Sequence, residues 1–236
     1  MGRRLRWGRS SVLRDAGAVR LCVGGVDAQG TMLDGAAVVT GADAPLGAAV
    51  ASSLAERADH LVLGGADAAE LADLATSLEA TGADVHSLRT DVRDEFEVER
   101  LVEVAARRGG GLGAVVPAAR VHHDGARADL TAGSYAAFDD LVRTNLRGVY
   151  AAVREALAHG DGRTAIVIPA FEADGGEDLL GVGEAAVAAL AEAVDAAVEA
   201  PVRAVTVEAG ALEDDAGAAA AAESILSVLE YLAGRP

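Results

Sequence analysis

Cysteine is almost absent: Cys22 is the only one in 236 residues. A single thiol builds no intramolecular disulfide framework and no cysteine-based zinc site, and it suits a reducing compartment. Aromatic residues are also scarce, at 3%, so alanine, glycine and valine must fill the core by close packing of helices on a sheet. No apolar run reaches the roughly 18 residues that a membrane span needs. Positive charge is outweighed, with 20 Lys+Arg against 37 Asp+Glu and a net charge of −17. Nucleic-acid binding needs a basic face; the balance argues against that class and describes a solvated acidic surface instead.

What positive charge there is gathers at the front, where Arg3, Arg4, Arg6, Arg9, Arg14 and Arg20 face one acid, Asp15. A twin-arginine or secretory signal follows its basic start with an unbroken apolar stretch. Arg9, Arg14 and Arg20 break it here, so the expectation is a cytoplasmic protein.

From Gly35 onward short apolar runs alternate with longer helical patterns. The runs Ala36–Thr40, His60–Leu63, Asp84–Leu88, Gly113–Val116, Thr164–Ile168 and Val202–Val207 read as strands. Between them, helices are expected over about 45–55, 68–81, 95–107, 135–159 and 184–199, with a last one over 220–232. Strands alternating with helices of this length imply βαβ crossovers and a parallel sheet covered on both faces. The expected fold is therefore a single doubly wound α/β domain of the dinucleotide-binding kind over residues 32–236, preceded by a basic extension over residues 1–31.

The first strand runs into Thr40-Gly41-Ala42-Asp43-Ala44-Pro45-Leu46-Gly47, a glycine-bearing turn that opens a helix. In a dinucleotide site such a turn lets the backbone approach a pyrophosphate. This stretch is similar to the TGxxxGxG start of the short-chain dehydrogenase/reductase family. Further matches follow in order. Asp91-Val92 resembles that family's adenine-contacting pair. Asp129-Leu130-Thr131 and Asn145-Leu146-Arg147-Gly148-Val149-Tyr150 resemble its "DLT … VNLxGxx" stretch, and Val202–Gly210 its "IRVNAVAPG". The resemblance implies an NAD(P) site over Thr40, Gly41, Leu46, Gly47, Asp91 and Val92, with Asn145 as a structural and catalytic residue. It also implies a homodimer, or a heterodimer with another family member, through helices 135–159 and 184–199.

Departures from the pattern carry the functional argument. The family's middle glycine is Pro45, which has no N–H to offer a phosphate. Asp43 precedes it and is expected to cap the helix, occupying electrostatically the place of the pyrophosphate. Gly64-Gly65-Ala66 after the second strand supplies neither the acid nor the arginine that would read the adenosine ribose. The family's Asn-Asn-Ala-Gly reads Pro117-Ala118-Ala119-Arg120. Its catalytic Ser, Tyr and Lys fall on Ala170, Leu180 and Glu184, and no tyrosine occurs between Tyr150 and Tyr231. A glutamate at the lysine position would raise a phenol's pKa, opposite to what that chemistry needs. His122-His123-Asp124 reads as a surface loop rather than a metal site, and Tyr150 is expected to pack within its helix.

Two readings of function remain at this point. One is a member that has lost redox catalysis and acts as a pseudoenzyme or accessory subunit. The other is an NAD(P)-dependent oxidoreductase, or a non-redox enzyme, with relocated acid and base groups. The family's last strand has no counterpart before Pro236. Ala16–Gly25 resembles it, and the expectation is that Ala18–Val23 pairs parallel with Val202–Val207; the alternative is that residues 1–31 form an unstructured extension.

Overall fold

The computed structural model of the chain describes residues 33–121, 129, 131, 133–160, 164–171, 179–197, 202–207 and 215–233. Six strands form within them: β1 (Ala36–Thr40), β2 (His60–Gly65), β3 (Asp84–Arg89), β4 (Leu112–Pro117), β5 (Ala165–Phe171) and β6 (Val202–Val207). They make one parallel sheet in the order β3-β2-β1-β4-β5-β6. Val38 and Val115 are direct register partners, as the expected architecture requires. Ala18–Val23, and with it the proposed edge pairing, lies outside the described residues.

Alternation along the strands builds two cores. Ala37 and Val39 of β1 point to the face where Leu46, Leu54, Leu71, Ile225 and Leu229 pack. These come from α1 (Pro45–Ala55), α2 (Ala68–Glu79) and α7 (Asp215–Ala233). Ala36 and Val38 point to the opposite face, against Leu101, Val149, Val153 and Val187. Those residues belong to α3 (Glu95–Arg108), α5 (Gly148–His159) and α6 (Leu179–Ala197). Strands buried on both faces read as continuous apolar runs, which is why all of β1 and β4 is buried. Edge strand β3 carries Asp84, His86 and Ser87 and is only partly buried.

The expected helix over 135–159 is interrupted. Helix α4 (Tyr135–Leu141) passes through a π-turn, Val142–Arg147, before α5 continues. Such turns insert an extra residue and re-aim side chains, often at functional sites; here the residue turned inward is Asn145. Tyr150 faces outward on α5, half exposed, rather than packing in as expected. Strand β5 runs on to Phe171, so Ala170, expected beyond the strand, lies within it.

Gly47 sets the approach of α1 to β1. A Cβ there would lie 2.0 Å from the Gly41 carbonyl oxygen, so the helix sits closer to the turn than any side chain allows. Gly47→Ala is expected to destabilise the fold by about 1–3 kcal/mol, the usual cost of overpacking, read as a lower urea midpoint with unchanged slope.

Candidate functional site

At the carboxyl end of the sheet, a cleft of about 260 Å³ opens between the turn after β1, the end of β2, the turn before α3 and the segment after β4. Ligands of open α/β sheets bind in this position, where the strand order reverses. Gly41 makes the first wall: its φ is +69°, and a Cβ on it would lie 2.5 Å from the Ala119 Cα. The Thr40 hydroxyl accepts from the Ala119 N–H at 3.3 Å and ties the same two segments together.

Of the residues that the resemblance assigns to a cofactor, Gly41, Asp91 and Val92 line the cleft. Thr40 and Leu46 are buried in the body behind it, and Gly47 packs on the Gly41 carbonyl. The expectation for Asp43 is overturned. The N-cap of α1 is Ala44, and no side chain caps that helix end. Asp43 stands one residue too early to reach the first-turn amides, and Pro45 removes one of them. The Asp43 carboxylate instead crosses to the end of β2, where Oδ2 accepts from the Asp67 N–H at 2.8 Å. Gly65 makes the room, since a Cβ there would meet Asp43 Oδ1 at 2.3 Å. A carboxylate from the turn after β1 thus reaches the end of β2.

Asp91 and Arg93 form the opposite wall. The Arg93 guanidinium donates to both carboxylate oxygens of Asp91, with Nε–Oδ1 at 2.9 Å and Nη2–Oδ2 at 2.8 Å, and reaches Asp140 at 3.2 Å. Hydrogen bonding from Arg93 holds the Asp91 carboxyl below the usual carboxylate range, against the opposing effect of burial.

The inner end of the cleft is closed by Arg120. Paired positions of β4 and β5 end at Val115 and Ile166, and the strands part beyond them. The Arg120 guanidinium fills the gap. Its Nη1 donates to the carbonyls of Pro117 at 3.0 Å and Ala119 at 2.8 Å, and Nη2 donates to that of Pro169. Its Nε lies 3.5 Å from Oε1 of Glu184, with side chains 1% and 2% exposed. Burial pushes the guanidinium pKa down and the Glu184 charge pushes it back up.

Leu180 and Glu184 both lie on α6, as the sequence implied. Gly183 lets that helix lie against Leu141, since a Cβ there would approach Leu141 Cδ2 to 2.5 Å. Asn145 is fully buried. Its Oδ1 accepts from the Val121 N–H at 2.7 Å and its Nδ2 donates to the Val121 carbonyl at 3.0 Å. The amide thus clasps the residue next to Arg120.

The pairing of Arg120 with Glu184 was not anticipated from the sequence. A signal for it was present: the chain contains no lysine at all, so a buried acid on α6 has only arginine or histidine to neutralise it. Among the described residues no group of His, Cys, Asp and Glu could hold a metal ion, and His122 and His123 lie outside them. No described helix is long and apolar enough to cross a membrane.

The sequence matches the family model for short chain dehydrogenase over residues 35–170, more than half of the chain. Solved structures with this fold include a dehydrogenase/reductase from Sinorhizobium meliloti 1021, at 24% identity and a TM-score of 0.73, covering 86% of this chain and 89% of that one. A short chain dehydrogenase from Mycobacterium smegmatis has 21% identity and a TM-score of 0.73, with coverage of 86% and 88%. One from Burkholderia cenocepacia J2315, solved in complex with NADP, has 20% identity and a TM-score of 0.72, covering 84% of this chain and 91% of that one. At these identities the likeness speaks for the fold. No curated protein matches the sequence.

Arg93→Ala should let the Asp91 carboxyl rise toward its ordinary value. A carboxyl depressed in the folded state contributes stability above its unfolded pKa, and loses it as pH falls through the folded value. The variant should therefore show a weaker dependence of urea stability on pH across the acid range, with the Asp91 titration followed by carboxyl carbon NMR. An unmoved Asp91 titration would contradict the assignment.

Proposed function

We propose that this chain, which belongs to the short-chain dehydrogenase family, has lost the family's proton relay and acts as a non-catalytic accessory subunit. The observation that carries this reading is the buried Arg120–Glu184 pair. By the resemblance, Glu184 stands where the family has the lysine that lowers the tyrosine pKa and holds the ribose. A glutamate there has the wrong charge, and Arg120 consumes it. Leu180 and Ala170 stand at the tyrosine and serine positions, and neither offers a hydroxyl. With no lysine anywhere in the chain, a relocated lysine does not rescue the relay. Asn145, the one member of the set that is retained, spends both sides of its amide on Val121, which is the work of a positioning residue.

The turn after β1 offers a dinucleotide's pyrophosphate fewer backbone donors than the family pattern does. Within the turn after β1, the Ala42 N–H donates to Gly64 and the Ala44 N–H to Gly41, and Pro45 has none. A carboxylate, Asp43, stands beside it. The partner surface assigned by the resemblance, α4 to α5 with α6, presents Tyr150 and Val182 to solvent, which supports pairing with a second copy or with another family member.

Titration of NADH and NADPH, followed by their fluorescence, should give no saturable binding below about 1 mM, an affinity weaker than about −4 kcal/mol. Saturable binding together with carbonyl-dependent oxidation would make the protein an enzyme and overturn the reading. Arg120→Leu should destabilise the fold by about 3–5 kcal/mol, the usual cost of removing one member of a buried ion pair. The double variant Arg120→Leu/Glu184→Leu should recover most of that loss in a urea melt.

A further inference from the structure

The two edges of the sheet differ in kind. At one, β3 carries Asp84, His86, Ser87 and Arg89, the polar and charged residues that let an edge face water. At the other, β6 pairs with β5 and has no strand on its outer side among the described residues. Its sequence, Val-Arg-Ala-Val-Thr-Val, is mostly apolar and β-branched. Helices α6 and α7 both pack against it, and they belong to opposite faces of the sheet, so the slot beyond β6 lies between two helix layers. An apolar edge of this kind is a template for another strand. We propose that Ala18–Val23 fills the slot as an antiparallel strand, so that the chain closes its own sheet. The proposal is independent of what the cleft binds.

Sequence singles out the occupant. Ala18-Val19-Arg20-Leu21-Cys22-Val23 is a six-residue run with one charge, closed by Gly24-Gly25. The internal stretches outside the described residues, 122–128, 172–178 and 208–214, all contain glycine and acids, which strands disfavour. Arg20 suits the place as well, since the added strand becomes the new edge and a charge there discourages further pairing.

Length sets the direction. Leu33 stands at the amino end of the sheet, where its N–H donates to the Arg57 carbonyl, and nine residues, 24–32, join it to Val23. Fully extended, that connection spans about 33 Å. The slot is four strand positions from β1, or about 19 Å. An antiparallel strand ends at the amino end, and the connection then passes beneath the helices with length to spare. A parallel strand, the direction suggested by the sequence, ends at the carboxyl end. Its connection must also return the roughly 20 Å length of a six-residue strand and pass around α7, about 10 Å thick, because Ile225 and Leu229 fill the direct line. Nine residues do not cover about 40 Å. Antiparallel edge strands on otherwise parallel sheets are common.

Cys22 is the only thiol in the chain and reads the arrangement out. In the unaltered full-length protein it should react with a disulfide reagent roughly tenfold or more slower than in urea, as buried thiols do. Directly opposed strand residues lie within the reach of a disulfide. In a flush antiparallel register Cys22, fifth in its strand, opposes Arg203, second in β6; in a parallel one it opposes Thr206. Mild oxidation should therefore give an intramolecular bridge in Arg203→Cys and none in Thr206→Cys, read by mass spectrometry of non-reduced peptides. Bridging in Thr206→Cys, alone or as readily, overturns the antiparallel assignment. A native thiol that reacts as fast as in urea, no bridge in either variant, or a bridge only between two chains overturns the proposal, the last by assigning the edge to a second copy.

Discussion

A guanidinium and a carboxylate in the interior are each costly by themselves, and in this protein Arg120 and Glu184 are both almost completely buried. Each is tolerable because of the other, and because the carbonyls of Pro117, Ala119 and Pro169 accept three of the guanidinium hydrogens. The arrangement draws on three parts of the chain at once: the end of β4, the end of β5 and the first turns of α6. It also settles how β4 and β5 separate. In a strand, the N–H and C=O of one residue point to the same side, so the missing N–H of Pro169 faces the gap where Arg120 lies. A proline that would break a paired strand is accommodated because β5 has no ladder partner on that side past Ile166. Asn145, turned inward by its π-turn, holds Val121 and so fixes the segment from which Arg120 projects.

At the other end of the cleft a carboxylate has moved between strands. Asp43 leaves the turn after β1 and serves the end of β2, bonding the Asp67 backbone while the Asp67 side chain caps α2 through Ala69 and Glu70. The N-terminus of α1 itself is left without a side-chain cap. Asp43 and the Arg120–Glu184 pair thus tie neighbouring elements together at the two ends of the cleft.

The sheet was legible because its central strands are buried on both faces and read as unbroken apolar runs stopped by glycine. Edge strand β3 was weaker in the sequence for the same reason reversed: His86 and Ser87 meet partial solvent. Asn145, Leu180 and Glu184 were placed on the right elements by motif spacing. The direction of the Asp43 side chain was not legible, because it depends on Gly65, a residue 22 positions away whose missing Cβ makes the space. Arg120 was visible only as a departure from a motif. Its role appears when β4, β5 and α6 are brought together, and no local pattern encodes that meeting.

The described aromatic side chains stand outside the aliphatic core: Phe96 is 71% exposed, Tyr135 94%, Phe138 45% and Tyr150 51%. The only tryptophan, Trp7, precedes the described residues. The described rings therefore report on the surface rather than on core packing. Near-ultraviolet dichroism needs aromatic rings held in asymmetric packing, and these four rings contribute little to it. Loss of the packing around the described strands and helices is therefore better followed in the amide absorption of the backbone than by these rings.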